Sequence, residues 1–250
     1  MHRFFAEGKI SEGCDFVLTG ENMRHLSRSL RAEVGDRVCV CDAHGVEYEC
    51  TVKSFSRESV VCTALKRLSV SAEPAYGAYL CQALPKSDKM DYIIQKAVEL
   101  GVRAIIPFES ENCVMRLKGE ARKRKPERWA KIAESAAKQC GRAVIPEVRD
   151  VCSFSEVLAL GEGSRRFFLY EKATVPLGEQ LDGFTHDDVY FTVGPEGGFS
   201  PREAQCAARA GWTGVSLGRR ILRTETASLY FLSVLSYEQD KQDNLQDSRE

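Results

Sequence analysis

The sequence predicts an α/β protein: a parallel-sheet domain preceded by a small β-rich unit. Three observations carry the prediction. From Ala78 onward, short apolar β-rich runs alternate with segments of helical periodicity, the pattern of a sheet flanked by helices. Before about residue 72 the texture is strands and turns instead. Near the carboxyl end two apolar runs, 189–193 and 213–217, lead straight into Gly194 and Gly218. Loops after the strands of an open α/β sheet are where such folds hold ligands.

Within 1–72, residues 38–41 read as a strand and His44-Gly45 as a turn. Val46, Tyr48, Cys50 and Val52 then alternate with polar neighbours, as in a half-buried strand, and 60–65 makes a third. Arg24, Arg28 and Arg31 recur at helical spacing, which places three cations on one stripe. The unit holds ten Lys/Arg against ten Asp/Glu, so clustering rather than excess would favour RNA; a solvated face is the other reading. Residues 68–75, closed by Pro74, form the expected linker.

The expected sheet domain spans 73–237. Its first strand, 78–84, ends at Pro85-Lys86, and a helix from Ser87 puts Met90, Ile93, Ile94, Ala97 and Val98 on one face before Gly101 stops it. Strand 104–107 follows. Between Lys118 and Arg142 lie nine Lys/Arg and three Glu, and R-K-R-K-P reads as a basic loop entering a helix that Gln139, Gly141 and Arg142 close. Such a run suits a phosphate backbone, or is plain surface. Residues 153–160 read as a helix, 166–170 as a strand and 176–181 as a helical turn. In the loop after 193, Gly194, Gly197 and Gly198 free the backbone for close approach. Ser200, Pro201 and Glu203 then supply an N-cap, an N1 proline and a capping-box glutamate, so a helix begins at Pro201. A last helix starts near Thr224, and 238–250, with one apolar residue, reads as a disordered tail.

The chain has 250 residues and a net charge of −1, so no global field draws nucleic acid. No signal-like run and no stretch of about 20 apolar residues is seen, which gives the expectation of a cytoplasmic protein without membrane contact. Ten cysteines lack a C-x-x-C pair, Cys39 and Cys41 being the closest two. Buried reduced thiols therefore fit better than a metal site or a disulfide framework. Neither Gly-Lys-Ser/Thr nor G-x-G-x-x-G occurs, which lowers a phosphate-cradle reading of the glycine turns. The glycines alone do not name the ligand; the two loops together, with Arg219, Arg220 and Arg223 beside Glu225, point to a site.

Five separated segments resemble one family. They are G-P-E-G-G-F-S at 194–200, S-L-G-R-R-I-L-R-T-E-T-A at 216–227, Q-K-A-V-E-L-G at 95–101, A-A-K-Q-C-G-R at 136–142, and H-L-S-R-S-L-R at 25–31 with Gly35-Asp36. The pattern is similar to that of the RsmE family of SPOUT-class methyltransferases, which methylate N3 of one uridine in 16S ribosomal RNA. The resemblance covers everything but the tail. At Glu111-Asn112-Cys113 the chain departs from the family's common Glu-Arg-Ser, so a substrate contact by an arginine there does not carry over.

The resemblance implies a PUA-like β-barrel at the N-terminus, a trefoil-knotted C-terminal domain, S-adenosyl-L-methionine as methyl donor, and a homodimer with the site near its interface. It implies that loops around Leu169 and Tyr170, Gly194, Pro195, Glu196, Gly197 and Gly198, and Leu217, Gly218, Ile221, Leu222 and Arg223, with Thr226, hold the cofactor. Arg3, Arg24, Arg28, Arg31, Lys86, Lys123, Arg124 and Arg142 are the candidate RNA contacts. For the chemistry, Arg223 could stabilise charge developing on the uracil oxygens. Glu225 and, more weakly, Glu196 are the candidate bases for the N3 proton, though either could serve a helix end or loop amides instead. Two other readings stand beside this one: a ribose 2′-O methyltransferase of the same class, and a dimeric RNA-binding protein without catalysis.

Overall fold

The computed structural model describes residues 2–68, 72–184 and 187–247, with side chains as far as 242. The chain divides into two units, one made of Met1–Glu73 and Ala137–Ile145, the other of Pro74–Ala136 and Pro146–Glu250. The expected linker falls partly on 69–71, outside the described residues.

In the first unit, strands β1 (Arg3–Phe5), β2 (Asp15–Thr19), β3 (Arg37–Cys41), β4 (Glu47–Phe55) and β5 (Ser59–Arg67) form one sheet in the order β1-β3-β4-β5-β2. Tyr48, Cys50 and Val52 face inward as their alternation predicts. Register shifts at Glu49/Cys50 and Val52/Ser54 mark irregularities that bend the β4–β5 pair, and the sheet curls over Phe4, Leu18, Leu26, Val38, Val40 and Val60. Strands β1 and β2 escape a pattern search. The first has three residues, and the second buries Leu18 alone.

The arginine stripe is corrected. Helix α1 (Gly20–Arg24) passes into a π-helical turn, His25–Ser29, where Leu30 N–H donates to His25 O at 3.0 Å. Arg31 lies past its end with φ +50°. All three arginines are exposed, but they do not continue one helical face, because the wider turn changes the angular step and Arg31 has left the helix.

In the second unit β6 (Ala78–Ala83), β7 (Ala104–Glu109), β8 (Glu147–Val148), β9 (Cys152–Ser153), β10 (Arg165–Leu169), β11 (Val189–Val193) and β12 (Thr213–Val215) make a second sheet. Its order is β12-β10-β11-β6-β7-β8, with β9 also on β7, and every pair is parallel. A parallel sheet covered on both faces explains why these strands read as continuous apolar runs rather than alternations. Between them lie α2 (Lys89–Glu99), α3 (Glu120–Cys140), α4 (Phe154–Leu158), α5 (Leu177–Leu181), α6 (Pro201–Arg209) and α7 (Thr224–Asp247). Helix α6 begins at Pro201 with the Ser200/Glu203 capping box formed.

Two segments differ from the sequence reading. R-K-R-K-P lies inside α3, which begins at Glu120 and takes in Pro126. Proline leaves the carbonyl of Arg122 without its helical donor. Burial of Trp129, whose indole N–H donates to Asp91 at 3.2 Å, holds the helix together there. The stretch from Glu238, expected to be disordered, continues α7 as far as Asp247. Its Gln, Glu and Lys residues are good helix formers, and Lys241 pairs with Glu238 one turn back.

Candidate active site

The strand order reverses between β6 and β11: the chain runs from β6 to β7 on one side and builds β10, β11 and β12 on the other. Crevices at the carboxyl ends of strands form at such a reversal. Here the loops after β10, β11 and β12 close on a cavity of ≈ 510 Å³, a size suited to a small organic ligand.

The wall from the β11–α6 loop is Gly194, Pro195, Glu196, Gly197, Gly198 and Phe199. At Gly194 an added Cβ would stand 3.2 Å from the Phe199 ring, tighter than an ordinary contact, so glycine lets that ring pack against the backbone. Gly198 has φ +65° and donates its N–H to Pro195 O at 2.9 Å, which closes the turn. The Phe199 ring packs, tilted by 34°, with its centroid 4.2 Å from that of Phe168 of β10, so the loop is anchored in the core. Leu169, Tyr170 and Glu171 continue the wall at the end of β10. Ser216, Leu217, Gly218, Arg219, Arg220, Ile221, Leu222 and Arg223 complete it between β12 and α7. Ile221 is 88% exposed, so the apolar lining comes from the buried Leu169, Val193 and Phe199 together with the half-buried Leu217 and Leu222.

A buried polar lock joins these loops to the sheet. Thr224 Oγ1 donates to the Gly194 carbonyl at 2.7 Å and accepts from Gln82 Nε2 at 2.9 Å, while Ser228 Oγ donates to Gln82 Oε1 at 2.6 Å. Gln82 and Ser228 are fully buried and Thr224 nearly so, so each bond is made in a setting where its loss would leave a group unsatisfied.

The electrostatic centre is Lys89, at the start of α2. Its ammonium lies 2.9 Å from Glu196 Oε1 and 3.4 Å from Glu225 Oε2, which ties the β11 loop to the first turn of α7. Glu196 also accepts from the Lys86 N–H at 3.0 Å. Burial pushes the Glu196 carboxyl up, but Lys89 and the loop amides outweigh it and hold the group below its ordinary value. The same pairing with Glu196 raises Lys89. Arg219, Arg220 and Arg223 on the opposite loop and Glu171 at the end of β10 complete the ionic groups of the wall.

Of the residues expected to hold a cofactor, all but Thr226 line this cavity. Thr226 is exposed on α7, two residues beyond the loop, and Glu225 is likewise not part of the wall. Lys89, Glu171 and Phe199 were not singled out from sequence. For Lys89 no local signal exists; Phe199 sits inside the quoted glycine motif. Gln82 carried a signal, a polar residue within the apolar run A-Y-L-C-Q-A-L.

The expected RNA contacts divide. Arg24, Arg28, Arg31, Lys86, Lys123 and Arg124 are exposed. Arg3 and Arg142 are corrected. Arg3 pairs with Glu47 at 2.9 Å and donates to the Arg142 carbonyl, while Arg142, 3% exposed, forks onto Glu73. Both guanidiniums are committed to ion pairs inside the first unit. The ten cysteines are all free thiols; burial pushes Cys50 up to about 12 and Cys62 up to about 11, so these two stay protonated.

The comparisons bear on this geometry directly. An RNA methyltransferase domain family matches residues 72–236, and an RNA methyltransferase PUA domain family matches 18–65. The ribosomal RNA small subunit methyltransferase E of Bacillus subtilis is 35% identical over 95% of this chain and 97% of its own. The chain belongs to the ribosomal RNA small subunit methyltransferase E family. Among the family's solved structures, the Neisseria gonorrhoeae member bound to S-adenosyl methionine is 30% identical, with TM-score 0.87 over 96% of this chain and 98% of its own. A Legionella pneumophila methyltransferase in complex with the same cofactor is 29% identical, with TM-score 0.84 over 94% and 96%. The PUA match lies within the first unit, and the methyltransferase match spans most of the second together with residues 137–145 of the first.

Proposed function

We propose that the chain transfers the methyl group of S-adenosyl-L-methionine to N3 of a uridine in the 16S RNA of the small ribosomal subunit. One observation carries the reading: the two glycine-rich motifs, some 20 residues apart, close on a single cavity, in a family whose gonococcal member is solved with that cofactor. The residues suit the group. Leu169, Val193 and Phe199 offer an apolar slot to the adenine, and the peptide groups of the glycine turns offer donors and acceptors to its edge.

When bound, the cofactor supplies a methyl carbon already activated on a sulfonium. The chain's own task is alignment, an effect worth roughly 7–11 kcal/mol in favourable cases. Arg223, exposed at the cavity wall, is placed to meet the negative charge that develops on the uracil oxygens. The N3 proton needs an acceptor. Glu196 is a poor one, because Lys89 and two loop contacts hold it ionised. Glu225 Oε2 is buried with no hydrogen-bond donor beyond the Lys89 ion pair, which leaves Glu225 the better candidate acceptor of the two.

We further read the protein as a cytoplasmic homodimer. Among the described residues no helix is long and apolar enough to cross a membrane, and the substrate is ribosomal. Tyr92 on α2 and Tyr230 and Tyr237 on α7 are exposed, and α2 packs against α7, which offers an apolar face to a second copy. Mass-spectrometric mapping of digested 16S RNA after reaction with the purified chain tests the activity. A methyl on uracil N3 supports it; a ribose methyl, or none, overturns it.

A further inference from the structure

Asn112 stands where the family commonly has arginine, and its environment shows a different use. It lies in the loop after β7, and its side-chain amide donates to two successive carbonyls of the glycine turn, Gly197 O at 3.3 Å and Gly198 O at 3.1 Å. The contact is close on the carbon side as well: a Cβ on Gly197 would stand 3.2 Å from Asn112 Cβ. The same loop is fastened a second time, because the Glu111 N–H donates at 2.9 Å to Oε1 of Glu203. Glu203 is buried and caps α6, the helix into which the glycine turn runs. Arg116, the next arginine along, folds back onto the Glu111 carbonyl at 3.0 Å. The loop after β7 therefore backs the turn from outside the cavity, with a donor aimed at its carbonyls.

A trans peptide is planar, so the direction of each carbonyl fixes that of the N–H that follows it. Holding the carbonyls of Gly197 and Gly198 consequently adds a constraint on two peptide planes of a turn whose glycines are otherwise held by the Gly198 N–H bond to Pro195 O. We propose that Asn112 is a positioning residue of the methyl-donor site, clasping the glycine turn in the shape that receives the cofactor, rather than a contact to RNA. The proposal rests on the cavity being the S-adenosylmethionine site. Asn112→Ala removes the donor alone; Asn112→Asp keeps the size but sets a carboxylate against the two carbonyls, so its effect should be at least as large.

In calorimetric titration of the full chain, both should raise the Kd for S-adenosylmethionine about 3–10-fold, the effect of losing a modest hydrogen bond. In steady-state methylation the loss should fall mainly on KM for the donor, with KM for RNA unchanged. An unchanged donor Kd in both variants overturns the proposal, and a raised KM for RNA would then return the position to substrate contact. If the wild-type chain itself takes up no S-adenosylmethionine, the functional reading fails; wild-type binding with indifferent variants sinks this inference alone.

Discussion

Lys89 shows what a single side chain can decide at this site. With one ammonium it meets carboxylates from the β11–α6 loop and the first turn of α7, so Lys89→Met should leave Glu196 and Glu225 repelling each other and raise the donor Kd by about tenfold, as titration calorimetry would register. Glu196 gives a pH signature. Its carboxyl is held below the ordinary 4.5, so its stabilising share is present above that value and disappears as pH falls through the depressed one. The Tm of wild type should exceed that of Glu196→Gln by a constant margin from about pH 6 to 8, and the margin should close below about pH 4. Arg223→Ala should cut methylation about 10²–10³-fold while changing the donor Kd little; equal losses would make Arg223 a cofactor contact. At this scale the glycine turns and the Ser200/Glu203 cap were legible, because their chemistry is local. Lys89 was not, since its two partners lie more than 100 residues away and only the sheet order brings them together.

At the scale of elements, the Gln82–Thr224–Ser228 lock fastens β6, the end of β11 and α7 to one another. Gln82→Leu should destabilise the chain by about 1–3 kcal/mol in urea unfolding, because the Thr224 and Ser228 hydroxyls lose buried partners. The strands of the parallel sheet could be read from their apolar runs, and α6 from its cap. Helix α3 could not. Pro126 is ordinarily a boundary, and what overrides it is the burial of Trp129 against neighbours that the sequence does not name. The π-helical turn at His25–Ser29 escaped for a related reason: a helical spacing of arginines does not distinguish 3.6 residues per turn from a wider one.

For the whole molecule, net charge is nearly nil, and RNA affinity must come from local surfaces. Replacing Lys123 and Arg124 by alanine should lower the slope of log K against log salt by up to about 0.7 per lost phosphate contact on single-stranded RNA. Arg142→Met should leave that slope alone and instead destabilise the chain, by no more than the about 3–5 kcal/mol of a fully broken buried pair, since Glu73 would lose its guanidinium and keep the Ala143 and Val144 N–H donors. Domain class was visible from the change of texture near residue 72, but the composition of the first unit was not. Residues 137–145 join it from far along the chain, with Ala143 and Val144 N–H donating to the Glu73 carboxylate. During synthesis, then, the strands and core of the amino-terminal module leave the ribosome first. The contacts of Glu73 with Arg142, Ala143 and Val144 can close only when that return segment follows, more than 60 residues later.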